Sequence, residues 1–244
     1  MTYCVGLCLN KGLVFMSDTR TNAGVDNISK YRKMFTWNVP GDRTFVLMTA
    51  GNLATTQTVV SMLEERTKAP EERHPSILEV PSMFEAARLV GKTLRDVIKE
   101  SAPATGPDAE SQFRATLILG GQIAGSEPRL FMIYPEGNFV EASDETPYFQ
   151  IGETKYGRPI LVRAHDPDMS FAEAVKLLMV SFDSTVKANL SVGLPLDLLL
   201  YEKDSIDILK QTRIEEDDPY YSEISANWGE ALKAAFASLP KYEV

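Results

Sequence analysis

Strand-length apolar runs come in blocks along this chain, and the amphipathic helical patterns fall between blocks, not between single strands. Two such runs flank Asn10-Lys11-Gly12, a loop with the glycine that a three-residue hairpin turn needs. Residues 31–37 alternate, with Tyr31, Lys33, Phe35 and Trp37 on one side, and residues 44–50 form a fourth run. Between them, residues 21–27 read as a loop of turn formers. Gly51-Asn52 then opens a helix over about 53–67. A second helix follows a polar, proline-containing connection. It starts at the capping box Ser82 to Glu85 and repeats Met83, Ala87, Val90, Leu94 and Val97 on one face. Strand runs resume at 113–120, 130–134, 139–142 and 148–151. A short helix near Pro159 and a longer one capped by Ser170 and Glu173 come next, the latter with Phe171, Val175, Leu178, Phe182 and Val186 in phase. A strand pair at 198–203 and 206–212 and a C-terminal helix with Ile224, Trp228, Leu232 and Phe236 complete the chain. Blocks of strands with segregated helix pairs argue against a parallel βαβ sheet. They suit an α+β fold: two antiparallel sheets face to face with helices on both outer faces, a four-layer αββα sandwich. The expectation is one domain over 1–244, with 214–244 a C-terminal helical extension.

Composition excludes several classes of function. Asp plus Glu number 34 against 25 Lys plus Arg, a formal net charge of −9, and no basic run offers a footprint for nucleic acid. No apolar run approaches the ~20 residues of a membrane span, and residues 1–20 lack the charged start and cleavage site of a signal peptide. A cytoplasmic protein with no nucleic-acid or membrane partner is expected. Cys4 and Cys8 lie four residues apart on one strand, about 13 Å at ~3.3 Å per residue, too far for a disulfide. A metal held by them would need further ligands, and the two histidines, His74 and His165, sit in surface-loop contexts. Neither a metal nor a cofactor is expected.

Several catalytic signatures are missing: the sequence contains no GxxxxGK[ST], HExxH or GxSxG. Chemistry concentrates instead at the chain start. A hairpin turn centred on Lys11 sets Cys4 opposite Asp18 and Thr2 opposite Arg20, with all four on one face. A threonine hydroxyl is a weak nucleophile that needs a neighbouring base. Removal of Met1 gives Thr2 a free α-amino group, whose ordinary pKa of ~7.7–8 is far nearer neutrality than that of lysine. A nearby lysine favours the neutral, basic form of that amine by like-charge repulsion, and a carboxylate holds the lysine in place. Lys33 and Asp18 are the candidates. Gly51, at a strand-to-helix switch, has a backbone N–H suited to an oxyanion.

Together these residues resemble a known family. Thr2 after Met1, Ser17-Asp18-Thr19-Arg20-Thr21 after a hairpin, a lysine on the next strand and Met48-Thr49-Ala50-Gly51 before a helix are similar to the proteasome β-type, N-terminal-nucleophile hydrolases. The missing pro-segment, Tyr156-Gly157-Arg158-Pro159 and the C-terminal region resemble its bacterial proteasome-related members. The resemblance implies an αββα sandwich, a threonine-type peptidase acting on peptide or protein substrates, and self-assembly into a homo-oligomeric ring or helical, lock-washer arrangement. It implies Thr2 as nucleophile, Asp18 and Lys33 as the supporting pair, Gly51 as the oxyanion glycine and Arg20 as a structural arginine. Thr21, Tyr31, Thr49 and Leu53 fall near pocket-shaping positions. No unfoldase partner is identified.

The family pattern is not fully kept. The interval from Asp18 to Lys33 is one residue short, which leaves Lys30 as a rival. Glu153 stands where the family places a serine that supports the nucleophile. An Asp-x-x-Ser pair becomes Ala188-Asn189-Leu190-Ser191, keeping Ser191 without the aspartate. An acid beside the terminus raises the amine's pKa and makes it a poorer base. Two other readings therefore stand beside the peptidase: a non-catalytic assembly protein that retains the fold, and a small-molecule amidase of the same class.

Overall fold

Both faces of the first two strands are buried, which is why they read as near-continuous apolar runs. In β1 (Tyr3–Leu9) the side chains of Tyr3, Val5 and Leu7 enter one core, and Cys4 enters another. In β2 (Gly12–Asp18) Val14 and Met16 join the first core, Leu13 and Phe15 the second. The computed structural model describes residues 2–22, 28–68, 75–102 and 110–243. The chain continues through β3 (Arg20–Asn22), β4 (Ile28–Lys30), β5 (Met34–Val39) and β6 (Arg43–Gly51) to helices α1 (Leu53–Lys68) and α2 (Met83–Ser101). Next come β7 (Ala115–Ile123), β8 (Arg129–Ile133), β9 (Phe139–Glu141) and β10 (Tyr148–Gly152). Helices α3 (Arg158–Ala164) and α4 (Phe171–Ala188), strands β11 (Leu196–Glu202) and β12 (Ile208–Ile214), and α5 (Pro219–Ala237) follow.

One antiparallel sheet runs β10-β1-β2-β11-β12, the other β5-β6-β7-β8-β9, and β3 and β4 form a separate ribbon. Three buried clusters define four layers. Phe45, Leu47, Leu117 and Leu119 pack under Val90 and Leu94 of α2; Phe15, Val46, Ile118 and Leu199 fill the space between sheets; Tyr3, Val5 and Met16 meet Leu178 and Phe182 of α4. This is the αββα sandwich expected from the blocks of strands and helices. Ser170 and Glu173 close a full capping box on α4. At α2, Ser82 accepts the Glu85 N–H, but the Glu85 carboxylate pairs with Arg88 and does not close the expected box.

Several local expectations are corrected. The first hairpin pairs Cys4 with Ser17 and Leu9 with Gly12, so the loop is the two residues Asn10-Lys11 and the register lies one residue from the expected one. A two-residue connection is the commoner hairpin, and a slip of one residue moves side chains to the other face. Thr21 and Asn22, read as the start of a loop over 21–27, belong to β3, which pairs with β4 with Thr21 opposite Ser29; residues 23–27 lie outside the described residues. The strand expected from residue 31 begins at Met34, leaving Lys33 ahead of it. His165 is not a free surface residue: its Nε2 lies 3.1 Å from the Cys8 carbonyl oxygen and its ring 5.9 Å from that of Tyr148. His74 lies outside the described residues. No helix among the described residues is long and apolar enough to cross a membrane.

Candidate active site

Asp18 ends β2 and is fully buried, and its Oδ1 accepts the Tyr3 backbone N–H at 2.9 Å and Lys33 Nζ at 2.7 Å. Lys33, also buried, donates to the Arg20 carbonyl as well. Lying just before β5 frees it from that strand's alternation, and its side chain crosses from one sheet to the end of the other. Burial pushes the Asp18 carboxyl above the usual carboxylate range, against the opposing pull of the Lys33 ammonium and the Tyr3 N–H. Among the described residues its Oδ2 has no partner in good hydrogen-bond geometry, although the Gly193 N–H also pulls its pKa down, and the buried hydroxyl of Ser17 beside it has none. The rival Lys30 turns the other way, to Glu216 at 3.2 Å, and is exposed.

Thr2 is buried against the end of β10. Its carbonyl accepts the Glu153 N–H at 2.6 Å, and Gly152 is paired with Tyr3. Gly152 has φ +85°, and a Cβ there would lie 1.9 Å from the Thr2 oxygen, so only glycine permits this clamp. Gly51 ends β6 under a similar constraint: φ is +120° and a Cβ would meet the Arg114 oxygen at 2.5 Å. The following Asn52 caps α1, its Oδ1 accepting the Thr55 N–H at 3.0 Å. The strand therefore turns into the helix at Gly51, beside Thr2.

A cavity of about 460 Å³ opens there, lined by Thr2, Thr21, Lys33, Thr49, Gly51 and Leu53. These are six of the residues singled out from the sequence. Arg32 and Thr56 also line it, and sequence reasoning missed both; proximity to Lys33 and one helical turn from Leu53 were the signals available. Tyr31 does not line it and is partly exposed, its backbone N–H bonded to the Thr19 carbonyl. A larger cavity of about 860 Å³, bordered by Tyr134, Tyr148, Arg158 and His165, shares none of these residues. Arg20 sits behind the site, its guanidinium bonded to the Leu190 carbonyl at 3.2 Å and filling the space over Gly193. Glu153 accepts Asn189 Nδ2 at 2.9 Å, and Asn189 Oδ1 accepts the Ser191 N–H at 3.0 Å. Glu153, Asn189 and Ser191 thus form one connected group next to Thr2.

Two facing antiparallel sheets with outer helices, and a threonine and glycine converging at one end, define a proteasome-type N-terminal-nucleophile fold. Comparisons agree. The chain belongs to the proteasome subunit family, whose pattern matches residues 2–193. It is 25% identical over 216 residues to the proteasome subunit beta of Haloquadratum walsbyi, covering 88% of this chain and 79% of that protein. Its likeness to Anbu, the ancestral beta-subunit, is much stronger. Anbu from Yersinia bercovieri is 49% identical, with a TM-score of 0.91 over 99% of this chain and 100% of that one. Anbu from Pseudomonas aeruginosa, solved as a helical assembly, is 44% identical, with a TM-score of 0.91 over 99% and 98%.

Proposed function

We propose that this protein is a threonine-type peptidase whose nucleophile is the Thr2 hydroxyl, made competent by removal of Met1. The observation that carries the reading is the convergence of Thr2, Lys33 and Gly51 on one cavity, with Lys33 held 2.7 Å from the buried Asp18. The Thr2 amine, directly or through water, takes the hydroxyl proton as Oγ1 attacks a substrate carbonyl. The Lys33 ammonium keeps positive charge near that amine and favours its neutral form. The tetrahedral oxyanion receives the Gly51 N–H. Collapse expels the amine half of the substrate with the transferred proton and leaves an ester on Thr2. Water then hydrolyses the ester and restores the hydroxyl. No step calls on a metal or cofactor.

A hydrolase of the proteasome class is supported by family membership, and self-association by the helical assembly of a related Anbu. For this chain we infer a cytoplasmic homo-oligomer, a ring or a helical, lock-washer arrangement. Apolar side chains on α5 fit that inference: the inner residues Ile224 and Trp228 are half-buried, whereas Phe236 is 79% exposed. A second reading, a proteasome-fold assembly protein without turnover, is favoured by one observation. Glu153 is tied to Asn189 and contacts the Thr2 backbone, putting an acid in the place of a supporting serine.

Intact-mass measurement of the assembled protein, before and after a threonine-directed electrophile, separates the two. The peptidase reading expects loss of Met1, one adduct per chain, and no adduct on Thr2→Ala. A processed, assembled protein that takes no adduct would instead identify the assembly protein.

A further inference from the structure

We propose that Arg32 selects a side-chain carboxylate on the substrate residue whose carbonyl Thr2 attacks. The inference rests on the peptidase reading and names its substrate class, peptides with an acidic residue at that position. Among the described residues lining the cavity, Arg32 and Lys33 are the only charged ones. Lys33 is already engaged, with Asp18 and the Arg20 carbonyl. Arg32 is not. Its Nε donates to the Met34 carbonyl at 2.5 Å, and its guanidinium carbon lies 5.6 Å from the centroid of the Phe35 ring. Those two contacts fix the plane of the group and use one of its five N–H donors. Its guanidinium has no carboxylate partner among the described residues, and Arg32 lines the cavity.

The rest of the lining fits a polar guest. Thr21, Thr49 and Thr56 contribute hydroxyl-bearing side chains, and among the described residues of the lining Leu53 is the one large apolar residue. A carbonyl seated between Thr2 and the Gly51 N–H carries its own side chain on the next atom, so that side chain enters this cavity. A pre-oriented guanidinium donates two parallel N–H bonds to a carboxylate, which a carboxamide or an aliphatic chain cannot match. The chain as a whole is acidic, with a net charge of −9, so attraction of an acidic substrate has to be local. Arg32 is exposed on one side, so the preference is about tenfold and is screened by salt.

Titration calorimetry on the Thr2→Ala chain tests this without turnover. The probes are four short peptides of one sequence, ending in Glu amide, Gln amide, Leu amide and Leu with a free carboxylate. The Glu amide is expected to bind about tenfold more tightly than the Gln amide. That ratio should fall toward one when salt is raised on the same chain, and in Thr2→Ala/Arg32→Gln. Arg32→Glu should invert it. Equal binding of the Glu and Gln amides, or a ratio indifferent to both salt and Arg32→Gln, overturns the proposal. So does tightest binding by the free-acid Leu peptide, which assigns Arg32 to a chain-terminal carboxylate. Labelling of the unmutated, Met1-processed chain by Glu- and Gln-ended peptide electrophiles separates this inference from the one beneath it. Adducts formed without a Glu preference leave the peptidase standing and remove the role of Arg32. Absence of adducts with Glu preference kept in calorimetry removes the peptidase and leaves an acidic-peptide site.

Discussion

The two ends of the sandwich are each bridged by buried polar side chains, and they are satisfied to different degrees. At the end away from Thr2, Gln122 on β7 uses its full capacity. Its amide nitrogen donates to the Ser126 carbonyl and, at 2.7 Å, to Asp204, while its oxygen accepts the Tyr201 hydroxyl at 2.6 Å and the Asp204 N–H at 2.9 Å. Burial pushes the Tyr201 phenol up to about 12, so it stays a donor across the working range. At the Thr2 end, Asp18 Oδ1 takes two donors, while among the described residues Oδ2 and the Ser17 hydroxyl have no partner in good hydrogen-bond geometry. A closed network fixes two sheets relative to one another. A half-open one leaves hydrogen-bonding capacity unspent, here on fully buried groups behind the cavity. Buried orphans are uncommon in folded proteins, and two of them lie side by side at the end of β2, whereas the Gln122 end has none among the described residues.

The comparison can be broken by exchanging which end matters for what. Lys33→Met removes the only side-chain partner that Asp18 has among the described residues. It should cost about 3 kcal/mol in urea unfolding, because one member of a buried pair is left without its partner. It should also slow electrophile labelling at Thr2 by a hundredfold or more, roughly the range of lost acid–base support. Equal labelling in the variant would mean that the pair is a clamp like its counterpart.

Gln122→Leu strikes the other end. It strands the Tyr201 hydroxyl and the Asp204 N–H, for a loss of about 2 kcal/mol. Differential scanning calorimetry should register this as a lower Tm, with labelling of Thr2 unchanged. A labelling defect would show that both ends serve the site.

The smallest effect is in pH. Asp18 is raised above its unfolded value, so the folded chain holds a proton that the unfolded chain has released over that interval. Stability contributed by this group is therefore present below about pH 4 and declines as pH rises toward the folded-state pKa, by at most about 1.4 kcal/mol per pH unit. Urea titrations across pH on the native chain and on Asp18→Asn should differ by that slope. Parallel curves would mean that Lys33 fully offsets the burial of Asp18.

Much of the architecture is legible in the order of the residues. The helical phase of Met83 through Val97 and of Phe171 through Val186, with serine caps ahead of both, locates α2 and α4. Thr2, Asp18, Lys33 and Gly51 can be nominated because a hydroxyl nucleophile, a carboxylate, an ammonium and an unhindered backbone N–H are properties of residue type. Tyr31 falls off the cavity because one residue along an irregular stretch changes which side of the chain is presented. Arg32, its neighbour, lines the cavity instead. The β3–β4 ribbon is hidden because its strands are three residues each, too short for a period to register, and long-range pairing decides them.

The sequence by itself determined most of the strands and helices, the β3–β4 ribbon excepted, since periodicity and caps are local properties. It also determined which chemistries are available near Thr2. Only the tertiary structure decided that Asp18 bonds to Tyr3 and Lys33 when the hairpin register sets Ser17, not Asp18, opposite Cys4. It likewise decided that Lys33 and not Lys30 turns inward, and that Gly152 closes on Thr2. These contacts join residues far apart in the chain, and their geometry is fixed by the stacking of two sheets whose facing side chains must share one core.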